Sequence, residues 1–218
     1  MKHAISPAAA AALIPDGAIL MIGGFMGVGS PHRLIDAIVA ADKRGLTVIA
    51  NDTAMPGVGI GKLIAARCVS RVIASHIGLN PETQKCMMAG EIKVELVPQG
   101  TLAERIRAAG FGLGGVLTKT GLGTVAAEGQ RIIDIDGDPW LYAPPLTADF
   151  ALLACERADY NGNLSYQLTA TNFNPVMAMA GAIVICEPRE ILPVGAVPPD
   201  AVNTPGVLVD HLIERASR

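Results

Sequence analysis

Three predicted strands end in side chains suited to holding a small polar ligand: Asn51-Asp52 after residues 46–50, Ser75-His76 closing residues 69–75, and Gln99 just past residues 94–97. In open α/β sheets the carboxyl ends of strands are where ligands bind. If these strands are neighbours, their polar ends converge on one crevice. An Asn or Gln amide both donates and accepts hydrogen bonds without bringing a charge. The structural alternative for Asn51 and Gln99 is that they satisfy loop backbone groups. His76 is read as a hydrogen-bonded structural residue, with carbonyl polarisation or a phosphate contact as its alternative.

A second candidate lies nearer the start of the chain. Residues 18–22 form an apolar run of the buried parallel type, and Gly23-Gly24-Phe25-Met26-Gly27-Val28-Gly29-Ser30 follows directly. Gly23, Gly24, Gly27 and Gly29 permit left-handed or closely approached backbone, leaving amides to face an anionic or phosphate-bearing ligand. Ser30-Pro31 then reads as a capping residue and a first-turn proline for a helix over 31–43, with Leu34, Ile35, Ile38 and Val39 on its apolar side. The loop matches neither the G-x-G-x-x-G dinucleotide fingerprint nor a P-loop. A purely structural turn is the alternative, and Phe25 is expected to pack beneath the loop as core.

These residues need a scaffold, and the sequence outlines one. Strands at 18–22, 46–50, 69–75 and 94–97 alternate with helices at 31–43, from 62, 81–90 and 101–109, a pattern of an α/β fold with an open, mostly parallel sheet covered by helices. An alanine-rich helix precedes them at 6–14. Glycines crowd residues 110–129, which reads as a loop. A hairpin follows about Asp136-Gly137-Asp138, then strands at 148–154 and 182–186. The tail from 200 to 213 is a closing helix or strand. Arg105 and Arg107, beside Glu104, are read as a solvated face or a partner contact.

The chain has 218 residues, enough for one sizeable core, and residues 1–218 are read as a single domain. Half the residues are hydrophobic and 17% charged, too apolar for disorder, yet no run reaches the ~20 residues that span a bilayer. Net charge is −3 with no basic cluster, which leaves nucleic-acid binding without support. No secretory signal is evident. Cys68, Cys86, Cys155 and Cys186 are isolated and read as buried thiols of a reducing cytoplasm. His3, His32, His76 and His211 lack metal-ligand spacing, so no metal is expected.

The arrangement Asp16-Gly17, an apolar strand, Gly23-Gly24-Phe25 and Gly29-Ser30-Pro31 resembles the signature of the family I coenzyme A transferases, in their α subunit. Ala50-Asn51-Asp52-Thr53, the stretch from Ala74 to Thr83, the stretch from Val97 to Arg107 and Asn172-Phe173-Asn174-Pro175 resemble further landmarks of that subunit. The nearest likeness is to the bacterial acetate/acetoacetate branch. The resemblance implies the NagB/RpiA/CoA-transferase-like fold. It also implies transfer of coenzyme A between a short-chain acyl-CoA and a carboxylate such as acetoacetate.

In that family a glutamate of a Ser-Glu-Asn-Gly motif on the β subunit carries the coenzyme as a thioester. This chain lacks the motif, so the resemblance implies inactivity without a β subunit, in an αβ or α2β2 assembly. It assigns coenzyme binding to Gly24, Phe25, Met26, Gly27, Val28, Gly29 and Ser30. It places Gln99 beside the reacting carboxyl groups and Asn51 against the acid, with Asp52 departing from the Asn-Asn of some members. Coenzyme A is then a substrate, and no cofactor is permanently bound. Open alternatives are a 3-oxoadipate or succinyl-CoA-dependent 3-oxoacid transferase subunit, a thioester hydrolase, a sugar-phosphate isomerase, and a non-catalytic sensor of acyl-CoA or phosphate ligands.

Overall fold

The structure, a computed structural model, describes residues 1–215. In chain order its elements begin with β1 (Ala4–Ile5), α1 (Pro7–Ala12), β2 (Ile19–Ile22), α2 (His32–Ala40), β3 (Leu46–Asp52), α3 (Ile60–Ala65), β4 (Val69–His76), α4 (Pro81–Met88), β5 (Lys93–Leu96) and α5 (Gln99–Gly110). They continue with β6 (Val116–Thr118), β7 (Arg131–Ile135), β8 (Asp138–Ala143), β9 (Ala148–Asp159), β10 (Leu164–Ser165), α6 (Asn174–Met177), β11 (Gly181–Leu192) and β12 (His211–Ile213).

The main sheet runs β1-β12-β11-β9-β2-β3-β4-β5, with every neighbouring pair parallel; β10 adds antiparallel to β9. From β2 the chain steps outward to β3, β4 and β5, and later returns to β9 on the opposite side of β2. Strand order therefore reverses between β2 and β9, and such a switch point opens a crevice at the strands' carboxyl ends. The glycine loop leaves β2 at that point.

Parallel strands buried on both faces need near-continuous apolar sequence, and β2 and β3 supply it. One face packs Leu20, Val48, Val72 and Leu152 against α1 to α4, through Ala11, Leu34, Ile38, Leu63 and Cys86. The other packs Met21, Ile49, Ala151 and Val184 against α5 and α6, through Leu102, Ile106 and Met177. The side chains of α2 that recur at helical spacing, Leu34, Ile35 and Ile38, are fully buried.

Several local expectations are corrected. Ser30 does not cap α2: Pro31 holds the cap position, and the Ser30 hydroxyl donates back to the Gly23 carbonyl at 2.9 Å. Capping comes instead from Glu187 on β11, whose carboxylate accepts from the Leu34 amide at 2.9 Å and the Arg33 amide at 3.3 Å. A carboxylate suits the positive end of a helix better than a hydroxyl. Arg105 is not solvated, with its side chain 12% exposed, paired with Glu95 at 3.0 Å and donating to the Pro144 carbonyl at 2.8 Å. Burial would raise the Glu95 carboxyl, but hydrogen bonds and charge from Arg105 and Arg71 hold it below the usual range.

The strand expected at 182–186 continues through polar residues to Leu192, because Glu187, Pro188, Glu190, Ile191 and Leu192 pair with β9 out to Asp159. Such an edge of burial hides the strand from a hydropathy reading. The glycine-dense stretch contains β6, which joins β8 and β7 in a separate three-stranded antiparallel sheet. The tail closes as β12, between β1 and β11. All four cysteines are buried and unpaired, as expected; Cys155 and Cys186 lie 3.5 Å apart, and burial pushes the Cys186 thiol up.

Candidate active site

The glycine loop is a tight hairpin. Phe25 and Val28 exchange both backbone hydrogen bonds at 2.9 Å, and the two residues between them, Met26 and Gly27, have φ of 51° and 88°. Two consecutive positive φ values define the turn that suits a two-residue hairpin. Packing is equally demanding: a Cβ on Gly24, whose φ is +126°, would lie 2.1 Å from the Ser30 hydroxyl oxygen, and one on Gly29 would lie 2.9 Å from Ala170 Cα.

This construction corrects the expectation that the loop offers its amides freely. The Gly24 amide donates to Asn172 Oδ1 at 3.1 Å, Met26 to Asp52 Oδ2 at 3.0 Å, and Ser30 to the Gly27 carbonyl at 3.3 Å, while Phe25 and Val28 serve each other. Among the described residues only Gly27 and Gly29 of this loop have amides with no acceptor. The glycines are there for shape more than for a cradle of donors. Phe25 is not core either, being 38% exposed over the crevice.

Behind the loop stands a chain of amides. Asp52 is 5% exposed and carries only acceptor oxygens, which take the Ala54 amide at 2.6 Å, the Met26 amide at 3.0 Å and Asn51 Nδ2 at 2.7 Å. With Nδ2 of Asn51 turned to Asp52, its Oδ1 faces the other way and accepts from Gln99 Nε2 at 2.5 Å. The Ser75 hydroxyl fixes the same strand end by donating to the Asn51 carbonyl at 2.7 Å. Asn51 is 2% exposed, whereas Gln99, the first residue of α5, is exposed. Gln99 is thus the member that reaches outward, and Asn51 and Asp52 hold its angle.

Two cavities meet at Phe25 and Gln99. One, about 310 Å³, is lined by Met26, Asn51, Asp52, Ser75, His76 and Leu79 with those two. The other, about 630 Å³ and mainly apolar, runs between α5, α6 and the segment at 203–208. Val28, Gly29 and Ser30 face elsewhere, into a cavity of about 780 Å³ with Arg33, Glu156, Glu187 and Arg189. The structure thus gathers Phe25, Met26, Asn51 and Gln99, and separates Val28 to Ser30 from them. The His76 side chain is exposed and has no hydrogen bond among the described residues, contrary to the expectation of a bonded structural role. Among the described residues no glutamate lines either crevice cavity, and the carboxylate that does, Asp52, has its oxygens occupied.

Residues 4–215 match the family described as Coenzyme A transferase. The chain belongs to that family. It is 53% identical over 198 residues to the acetate CoA-transferase subunit alpha of Escherichia coli (strain K12), covering 91% of this chain and 90% of the relative. It is 49% identical over 199 residues to the acetoacetyl-CoA:acetate/butyrate CoA transferase alpha subunit of Clostridium acetobutylicum, covering 91% of each. Among solved structures, the acyl-CoA transferase YdiF of E. coli O157:H7, in its thioester complex with CoA, superposes with a TM-score of 0.87. At 23% identity, over 97% of this chain and 47% of that longer one, it shows the shared α/β fold.

Within this coenzyme A transferase chain, Asn172 and Asn174 hold the glycine loop, a task that their sequence context alone does not show. Asn172 accepts from the Gly24 amide and donates to the Val28 carbonyl at 3.3 Å. Asn174, fully buried, donates to the Gly29 and Ala170 carbonyls at 3.0 and 2.9 Å and accepts from the Ala154 amide at 3.2 Å. Both ends of the glycine loop are clamped from α6 and the turn before it. The signal available was the pair of asparagines beside Pro175, since buried Asn commonly satisfies irregular backbone.

The amide chain gives a direct prediction. Asp52→Asn must turn a donor toward either the Ala54 amide or the pair Met26 and Asn51, leaving donors opposed. Unfolding of the chain in urea should show a loss of about 1–3 kcal/mol. An unchanged midpoint would mean that Asp52 does not organise this strand end.

Proposed function

We infer that the chain is the α subunit of a heteromeric coenzyme A transferase that moves coenzyme A from acetyl-CoA to acetoacetate or another short-chain acid. The observation that carries this reading is the outward amide of Gln99, fixed by Asn51 and Asp52 at the meeting of two cavities that, among the described residues, offer no free carboxylate nucleophile. Such a site positions and stabilises but cannot itself accept an acyl group. The identities to two named α subunits support the same division of labour.

In the proposed cycle a glutamate of the β subunit attacks the acetyl-CoA carbonyl, forming a mixed anhydride and releasing the coenzyme thiolate. The thiolate attacks the glutamyl carbonyl, acetate leaves, and the glutamyl thioester remains; the acid substrate reverses these steps and departs as its CoA ester. Gln99 keeps one amide N–H on Asn51 and presents the other toward the oxygen that gains negative charge, where a pre-set neutral donor lowers the barrier.

The 630 Å³ apolar cavity accommodates the coenzyme's long arm, and the 310 Å³ cavity the short acid. Of the loop Gly24, Phe25, Met26, Gly27, Val28, Gly29 and Ser30, Phe25 and Met26 face the crevice cavities while Val28, Gly29 and Ser30 face the separate 780 Å³ cavity, so the coenzyme in the crevice meets the loop through Phe25 and Met26. Binding energy from the coenzyme's remote parts is then available to the reacting centre. We place the assembly, αβ or α2β2, in the cytoplasm, with a single transferase domain in this chain and coenzyme A as substrate, not resident cofactor. No helix of the described residues is long and apolar enough to cross a membrane. The test is coenzyme transfer from acetyl-CoA to acetoacetate by this chain, by its β partner and by the two mixed. Transfer by the mixture alone is expected; full transfer by this chain alone would overturn the reading.

A further inference from the structure

Among the described residues, His76 is the one side chain of the smaller crevice cavity that can take a positive charge, and its ring nitrogens have no hydrogen-bond partner. It ends β4 in register with Asp52 at the end of β3, so the two strand ends lie side by side. Asp52 does not engage it: no ion pair between them lies within 4.0 Å, and the carboxylate oxygens already receive three donors. The other polar lining groups, Asn51, Ser75 and Gln99, are bonded to one another.

The ring occupies space that Gly78 leaves open. It lies against Gly78 so closely that a Cβ there would stand 2.6 Å from Cε1 and 2.9 Å from Nε2. Gly78 is not among the residues with positive φ, so its backbone does not call for glycine; the room it leaves is used by the imidazole. An imidazole that lines the cavity with its ring nitrogens unbonded, beside a residue without a side chain, fits a ligand contact better than a packing role.

We propose that His76 is a specificity-determining residue, which donates a hydrogen bond to the 3-oxo oxygen of an acid substrate whose carboxyl group sits at Gln99. This inference rests on the proposed transferase reading. Either the neutral imidazole, through one N–H, or the imidazolium supplies the donor. Acids with an acceptor at that carbon are favoured over plain alkanoates, because a bound acid covers the imidazole from water and one without the acceptor leaves its donor unpaired. Leu79 and Phe25 make the rest of that cavity wall apolar and limit the length of the chain beyond.

The test compares acetoacetate with butyrate as acceptor of coenzyme A in the assembled enzyme, by kcat/KM. His76→Phe keeps a ring and removes the donors; it should lower kcat/KM for acetoacetate about 10–100-fold while leaving butyrate within about twofold. His76→Gln should recover most of the loss. Gly78→Ala, which displaces the ring without altering its chemistry, should shift the ratio in the same direction. An equal fall for both acids, or no change for either, would overturn the assignment of His76 while the wild-type transfer stands. Absence of transfer by the wild-type assembly to any acid would instead overturn the transferase reading and this inference with it.

Discussion

Gln99→Ala, in the assembled enzyme, is expected to cut kcat by about 10²–10³-fold, the cost of one pre-set donor at a developing oxyanion. The fold should not notice. Gln99 is exposed at the start of α5 and gives its one described hydrogen bond to Asn51, so denaturation of the variant should match wild type within about 0.5 kcal/mol. KM for acetyl-CoA should move little, because the arm-binding cavity keeps its apolar walls. A fall in kcat with stability and KM retained would place Gln99 at the reacting centre; unchanged kcat would remove it from the mechanism. Gln99→Glu sharpens the test, since a second carboxylate there would oppose the negative charge that the amide is argued to receive.

Asn174→Ala should behave in the opposite way. The side chain is fully buried and bonds two carbonyls and one amide at once, those of Gly29, Ala170 and Ala154. Truncation strands all three, and buried unpaired groups cost about 1–3 kcal/mol each before relaxation, so a net loss of roughly 3–5 kcal/mol is expected. Thermal unfolding of the isolated chain should shift down by about 6–20 °C. The released glycine loop should also raise KM for acetyl-CoA in the assembly. Gly23→Ala attacks the same joint from the other side, since its Cβ would fall 1.9 Å from Asn174 Oδ1. Similar losses in the two variants would identify the clamp; an unaltered melting temperature in Asn174→Ala would refute it.

These contrasts show what the sequence made legible. Strand and helix order was readable because β2 is a short apolar run ended by glycines, β3 and β4 end in polar residues, and α2 has a clear apolar side. Asn51, Ser75 and Gln99 were visible as strand-end groups, and their meeting follows from β3, β4 and α5 being neighbours in space. What was hidden depends on contacts across long separations. Glu187 caps α2 over more than 150 residues, and Asn172 and Asn174 grip a loop nearly as distant, as hydrogen bonds that leave no local pattern.

Phe25 and His76 were misread for a related reason. A large ring beside glycines usually packs inward, and a strand-end histidine usually finds a partner. Here the hairpin turns Phe25 over the crevice, and Gly78 leaves His76 room to face it. Glycine density likewise announced close approach without saying to what: Gly24 makes room for Ser30, and Gly29 for Ala170, and in neither case for a ligand.

The central claim is that this chain organises a reaction whose nucleophile belongs to another subunit. Its most direct test is to incubate the assembled enzyme with acetyl-CoA and no acceptor, reduce with borohydride, and map both chains by mass spectrometry. The account predicts a reduced glutamyl residue on the β subunit and an unmodified α chain. A coenzyme adduct or reduced carboxylate on this chain would contradict it.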